Sequence, residues 1–190
     1  MTAWTWLRGA VRRGTLPPAY PDGYDLTLVL RDGRAVQVRP VLPSDAGELA
    51  AAIARADPET LHSRFLGGRP PQTEAEIRHL VELDYVDRFA LAAFDDNEQG
   101  IGIARYERDG VDVAEVAVAI DPLWRQVGLA TRLLELLGAR ASECGIDRFR
   151  ISFFADNIDV QDLVAAAHLP EARSEGEGVV DVVVSLPQEG

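Results

Sequence analysis

The chain has 190 residues, 19 basic and 31 acidic, for a formal net charge of −12. That length suits one medium domain, and 47% hydrophobic with 26% charged residues excludes wholesale disorder. A surface this acidic lacks the basic footprint that neutralises phosphates, so no nucleic-acid partner is expected.

In chain order, residues 1–24 read as a separate arm and 25–190 as the folded domain. In the arm, Trp4, Leu7 and Val11 sketch a short amphipathic segment, and Pro17, Pro18 and Pro21 forbid a continuous helix. From Asp25, alternating Leu26, Leu28 and Leu30, the Asp32-Gly33 turn and then Val36, Val38 and Arg39 predict a hairpin that Pro40 stops. Ser44 is placed to cap a helix through Ala56, and Asp57-Pro58 starts another. Thr73 and Glu76 make a capping box ahead of Ile77, Leu80 and Val81. Phe89–Phe94, Ile101–Tyr106 and Val113–Ile120 predict three strands joined by Asp95-Asp96-Asn97 and Asp109-Gly110, an antiparallel meander. A helix follows from Gly128 to Cys144, with Leu129, Leu133, Leu136, Leu137 and Ala141 on one face, and Gly145 ends it. Phe149–Phe154 must then run parallel to its predecessor if that helix is the crossover. A last helix spans Asn157 to His168, Glu171–Gly178 reads as an acidic loop, and Val179–Leu186 as the closing strand. The expected fold class is α/β: one mixed sheet with helices on both faces.

The lone Cys144 permits no internal disulfide and sits on the apolar stripe of its helix, which reads as core. No Cys or His spacing suggests a metal, and no apolar run reaches the ~18 residues of a membrane span. Arg8, Arg12 and Arg13 precede no long apolar stretch, so no secretory leader is expected and the expected compartment is the cytoplasm. Every basic residue is arginine, so the chain has no lysine of its own to modify.

One connection stands apart. Arg125-Gln126-Val127-Gly128-Leu129-Ala130-Thr131 lies between an apolar strand and a helix. The first turn of a helix has main-chain N–H groups without internal partners and a dipole that favours negative charge. Gly128 and Ala130 let a pyrophosphate approach the backbone, Thr131 adds a hydroxyl, and Arg125 and Arg132 add positive charge. The P-loop and dinucleotide patterns are absent, and a glycine in such a turn is also an ordinary structural device.

Arg125-x-x-Gly128-x-Ala130 after an apolar strand resembles the acetyl-CoA motif of the GNAT N-acetyltransferase superfamily. The element order from Asp25 to Leu186 agrees with it. Arg31-Asp32-Gly33, Val38-Arg39-Pro40, Asp57-Pro58-Glu59-Thr60, Arg64-Phe65-Leu66 and Ala114-Glu115-Val116-Ala117 are closest to bacterial protein-lysine acetyltransferases of the Pat type. The cyclic-nucleotide-binding domain of mycobacterial members is not expected in this length. The resemblance implies a splayed pair of parallel strands with acetyl-CoA in the gap. Val118 and Ile120 would offer N–H groups to the thioester carbonyl, and the amides of Gln126, Val127, Gly128, Leu129, Ala130 and Thr131 would hold the pyrophosphate. Asn157 either meets the pantetheine arm, as the family asparagine does, or caps its helix.

An amine must shed a proton before attacking, and lysine with a pKa of about 10.4 is almost wholly protonated at neutral pH. Glu115 shares its strand face with Val113, Ala117 and Ala119, and an apolar face would make a carboxylate the better base. The resemblance assigns it that role; an exposed edge position or a pairing with Arg105 are the alternatives. The tyrosine that many family members carry in the last helix is missing, with Val164 near its place and Tyr85 and Tyr106 as weak substitutes. The leading expectation is therefore transfer of an acetyl group to a protein lysine or a small amine by direct attack, without a metal. A catalytically silent acetyl-CoA sensor is the alternative, and a scaffold using the N-terminal arm is a third reading. The acceptor's identity and whether the chain pairs as a homodimer are left open.

Overall fold

A computed structural model describes residues 16–187. The amphipathic segment expected around Trp4, Leu7 and Val11 lies outside them. The elements are β1 (Leu26–Val29), β2 (Ala35–Pro40), α1 (Ala46–Arg55), α2 (Pro58–Arg64), α3 (Glu74–Val81), β3 (Arg88–Phe94), β4 (Gly100–Arg108), β5 (Val113–Ile120), α4 (Leu129–Glu143), β6 (Arg148–Phe154), α5 (Ile158–Ala167), β7 (Glu171–Gly176) and β8 (Val179–Ser185). The described strands form one sheet in the order β1-β2-β3-β4-β5-β6-β8-β7. Only β5 and β6 are parallel, because α4 carries the chain across between them.

Alternation along the strands divides the molecule into two layers of side chains. Ala114, Val116 and Ile120 of β5 join Leu129, Leu133 and Leu137 of α4, together with Phe89, Tyr106 and Phe149, in the main core. Tyr20 and Tyr24 of the proline-bearing arm pack onto it edge-to-face, their ring centroids 5.6 Å from Tyr85 and Phe89. On the opposite face a smaller core gathers Val41, Val81, Ala90, Ala92 and Phe94 with Leu49 of α1 and Ile103 of β4. Here α1 and α2 stand off the sheet: neither has a fully buried residue, although Leu49 and Ile53 make α1 amphipathic.

Caps explain most helix boundaries. Asp57 accepts from the Thr60 amide at 2.9 Å with Pro58 in the first turn, and Thr73 and Glu76 close their box at α3. Gly145, at φ 72°, ends α4, while the Ile146 amide reaches back to the Ala141 carbonyl at 2.9 Å. Ser44 is not the cap of α1. It lies within a 3-10 turn, Pro43–Asp45, and Asp45 pairs with Arg39 at 2.7 Å and receives the Leu42 amide. Cys144 is half-buried at the end of α4 rather than in the core, because the helix stops there and its carbonyl turns to Arg108.

The acidic loop expected over Glu171–Gly178 is instead a strand and a turn. Glu171–Gly176 pairs antiparallel with β8, and Glu177 and Gly178 take left-handed φ of 53° and 79° to join them. Every residue of β7 is exposed, so no apolar alternation marks this edge strand.

Candidate active site

The β5–β6 ladder ends where the chemistry was expected to begin. Its pairs run from Val113 with Arg148 to Val116 with Ile151; beyond them β6 pairs only with β8, and β5 only with β4. The pleat then decides which main-chain groups face the gap. Asp121 donates its N–H to Ile101 of β4, so odd-numbered β5 groups point to β4 and even-numbered ones to the opened side. The Ile120 carbonyl agrees, since it accepts from Arg125 Nε rather than from β4. Val118 and Ile120 therefore aim their N–H groups into the gap.

At the end of β5 the chain makes the turn singled out by its sequence. Asp121 receives the Leu123 amide at 2.9 Å and starts a 3-10 turn, Pro122–Trp124. Gln126 then adopts φ 61° and Gly128 φ 89°. A left-handed residue adjoining a right-handed one, as Gly128 adjoins the first residue of α4, curls successive N–H groups toward a common concavity, the main-chain nest suited to anions. Among the described residues, none of the amides from Gln126 to Thr131 has an acceptor; the first helical bond of α4 is from Arg132 to Gly128. Six donors are thus available on the surface of one turn.

The side chains around the turn divide into free and committed ones. Arg125 is spent locally: one nitrogen donates to Thr60 Oγ1 at 2.6 Å and Nε to the Ile120 carbonyl at 3.3 Å, tying α2 to the turn. Arg132 pairs with Glu135 on the exposed face of α4. The arginine beside the cradle is Arg31, at the β1–β2 turn, where a Cβ added to Gly128 would meet its Nε at 3.2 Å. Its amide donates to the Val127 carbonyl at 3.1 Å, and neighbouring Arg34 lies 3.8 Å over the Trp124 ring. Sequence reasoning missed Arg31 in this role because the contact joins positions nearly a hundred residues apart.

Asn157 follows the end of β6, on the far side of the gap, and its side chain accepts from the Val160 amide at 3.2 Å. The capping geometry is therefore present, and it leaves the amide nitrogen without an acceptor among the described residues. On the helix side of the mouth, His62 of α2 stacks on Phe154, the last residue of β6, with centroids 4.6 Å apart.

Glu115 lies on the face of β5 that looks toward α2, but its surroundings are not those expected. It is exposed, Glu107 stands directly opposite it on β4, and Arg64 and Arg105 supply attractive charge nearby. The apolar face read from its own strand is overridden by arginines from α2 and β4. Nor does Arg105 pair with Glu115: it donates to Glu107 at 3.4 Å. Glu115 itself forms no hydrogen bond, and no ion pair within 4.0 Å, among the described residues.

The two substitute tyrosines are packing residues. Tyr85 and Tyr106 are 1% and 0% exposed in the α4 core, donating to the Val41 and Val86 carbonyls. Burial pushes the Tyr85 phenol up to about 12 and Tyr106 higher still, so neither releases a proton readily. Among the described residues, no group of three or more His, Cys, Asp or Glu side chains could hold a metal ion, and no helix is long and apolar enough to cross a membrane.

A mixed sheet opened at its one parallel pair, with a cradle of free amides at the opening, is the architecture of an acyl-CoA-using transferase fold. The acetyltransferase (GNAT) domain family matches residues 36–169, and the chain belongs to that family. The chain is 30% identical over 164 residues to the acetyltransferase Pat of Mycolicibacterium smegmatis, covering 83% of this chain and 48% of that one. It thus spans about half the length of that relative. An acetyltransferase of Pseudomonas aeruginosa is 32% identical over 143 residues, covering 72% of this chain and 76% of its own length. Among solved structures, the GNAT domain of S. lividans PAT superposes with a TM-score of 0.81 at 31% identity, covering 88% of this chain and 99% of that one.

Proposed function

We propose that the protein is an acetyl-CoA-dependent N-acetyltransferase that passes the acetyl group directly to an amine bound beside it. The observation that carries this reading is the run of six acceptorless amides, Gln126 to Thr131, at the mouth of the opened strand pair. Such a cradle fits a diphosphate, and Arg31 adds a cation at its rim. Neighbours of the same fold, under 20% identical, include a phosphinothricin acetyltransferase from Sinorhizobium meliloti solved with acetyl-CoA, which supports the class of co-substrate.

The residues divide the work as follows. The turn amides hold the pyrophosphate, and Asn157 offers its amide nitrogen toward the pantetheine side. Val118 and Ile120 donate N–H groups to the thioester carbonyl; one oriented donor of this kind lowers the barrier by about 3 kcal/mol. Glu115 accepts a proton from the acceptor's ammonium, which frees the amine to attack, and its exposure leaves room for a water between the two. No tyrosine stands ready to protonate the departing thiolate, and a CoA thiol ionises easily enough to leave without one.

The test is in two parts. Acetyl-CoA should raise the melting temperature by mass action, and thiol release should follow on adding an acceptor. Glu115→Gln should bind acetyl-CoA normally and lose about 10²- to 10⁴-fold in rate; an unchanged rate removes Glu115 from the mechanism. Binding of acetyl-CoA without turnover on any amine would leave a sensor in place of an enzyme.

A further inference from the structure

The face of the sheet under α1 and α2 carries a hollow of about 370 Å³, within the range of small-molecule sites. Leu49, Ile53 and Leu61 line it from the helices, and Ile103 and Ala119 from the sheet. Its wall is chiefly apolar, and most of its charged groups are already engaged: Arg55 pairs with Glu48, Asp45 with Arg39, Asp57 caps α2 and Asp121 receives the Leu123 amide, which leaves the guanidinium groups of Arg64 on α2 and Arg105 on β4. Arg105 is 7% exposed and has a single long hydrogen bond, 3.4 Å to Glu107. Arg64 donates no hydrogen bond and forms no ion pair among the described residues; its close neighbour is the Phe65 ring, 5.1 Å away.

Two partly desolvated cations with so few acceptors are a poor arrangement for stability alone. Burial and the proximity of Arg64 push Arg105 down to about 10, against the opposing pull of Glu107. Arg88 adds a third cation, with Nε 3.8 Å from Glu107. Beyond the pair, Glu115 stands exposed and unpaired, within electrostatic reach of both arginines. The order along this face is therefore an apolar hollow, then a cation pair, then a carboxylate.

We infer that the acceptor is a free amino acid with an apolar side chain: its carboxylate on Arg64 and Arg105, its ammonium toward Glu115, its side chain in the hollow beneath α1 and α2. A zwitterion carries its opposite charges a few ångströms apart, which matches arginines beside a glutamate. A protein lysine brings an ammonium but no partnered carboxylate, and would leave the pair unanswered. The assignment rests on the acetyltransferase reading for its chemistry: one ammonium proton passes to Glu115, the freed amine nitrogen bonds to the acetyl carbon, the carbon–sulfur bond breaks as the thiolate departs, and the second nitrogen proton leaves to solvent or the thiolate.

The experiment compares matched acceptors with the unmodified protein: leucine and phenylalanine, their amides, the decarboxylated amines, and lysine-containing peptides. Thiol release should favour the free acids by about 10- to 100-fold in kcat/KM, as expected for charge-assisted bonds to a guanidinium. Arg64→Gln should bring the ratio of kcat/KM for free acid over decarboxylated amine down toward one, and Arg64→Lys should restore part of that ratio. Equal or better use of amines or lysine peptides overturns the inference while the acetyltransferase reading stands. If nothing is acetylated, calorimetric titration of leucine and phenylalanine into the protein decides separately: binding that Arg64→Gln abolishes supports the site although the enzyme reading has failed, and no binding overturns it.

Discussion

Replacing Gly128 with alanine tests whether the turn is a ligand cradle or only a tight corner. At φ 89° an L-residue is disfavoured, which costs about 1–2 kcal/mol in the left-handed region. The added Cβ would meet Arg31 Nε at 3.2 Å and Cγ at 3.4 Å, contacts a flexible side chain can relieve. The stability loss should therefore stay near the backbone figure, a fall in Tm of about 2–8 °C for a chain of this size. The methyl group and the displaced Arg31 would also sit where an anion must approach, so acetyl-CoA binding by calorimetry should weaken by at least about tenfold, or roughly 1.4 kcal/mol. Gly145→Ala is the matched control: its φ is 72°, nothing lies within 4 Å of a Cβ there, and it is at the opposite end of α4. It should lose similar stability and keep its affinity. Gly128→Ala with lowered Tm and unaltered acetyl-CoA affinity would refute the cradle, as would equal loss of affinity in both variants.

Further outcomes follow from single contacts. Arg125→Met removes the bond to Thr60 and should lower hydrogen-exchange protection in α2 and weaken acetyl-CoA together; unchanged protection in α2 would show the tie to be idle. Asn157→Ala should cost about 1 kcal/mol through the lost cap on Val160 and also raise the KM for acetyl-CoA; a lowered Tm with unaltered KM assigns the residue to capping alone. At α3, the Arg69 guanidinium foremost, then the Gln72 and Thr73 amides, hold the Glu76 carboxyl down to about 2 from 4.5. A depressed carboxyl stabilises above its unfolded value, so this contribution is present above about pH 4.5 and lost as pH falls toward 2. Thermal melts of Glu76→Gln should accordingly show a shallower acid limb in that window; an identical limb would mean solvent screening has erased the effect.

What could be read without coordinates was set by short-range rules. The Thr73–Glu76 box, the Asp57 cap and the glycine ending α4 act through neighbours within a few residues, so their side chains announce themselves. The same holds for the strand–turn–helix at Gly128: left-handed backbone and donors at a helix start are properties of the local chain. Alternation marks the first hairpin, and apolar runs bounded by turn residues mark β3 to β6, because strands covered by the cores must be apolar. Where no face is covered, as in β7, the pattern has nothing to record, and the sequence reads as a loop.

The surroundings of the candidate base belong to another category. Glu115 looked apolar on its own strand because alternation reports only the residues that share that strand; Glu107, Arg105 and Arg64 come from β4 and α2. Likewise Arg125 spends its charge on Thr60, while Arg31, from the first hairpin, stands over the glycine. Charges act through space, and the distances between them exist only once the sheet has brought its strands together. Periodicity and turn chemistry thus determined where this chain bends, pairs and opens. Which guanidinium is consumed, which is left over, and what faces the exposed carboxylate were decided by tertiary packing alone.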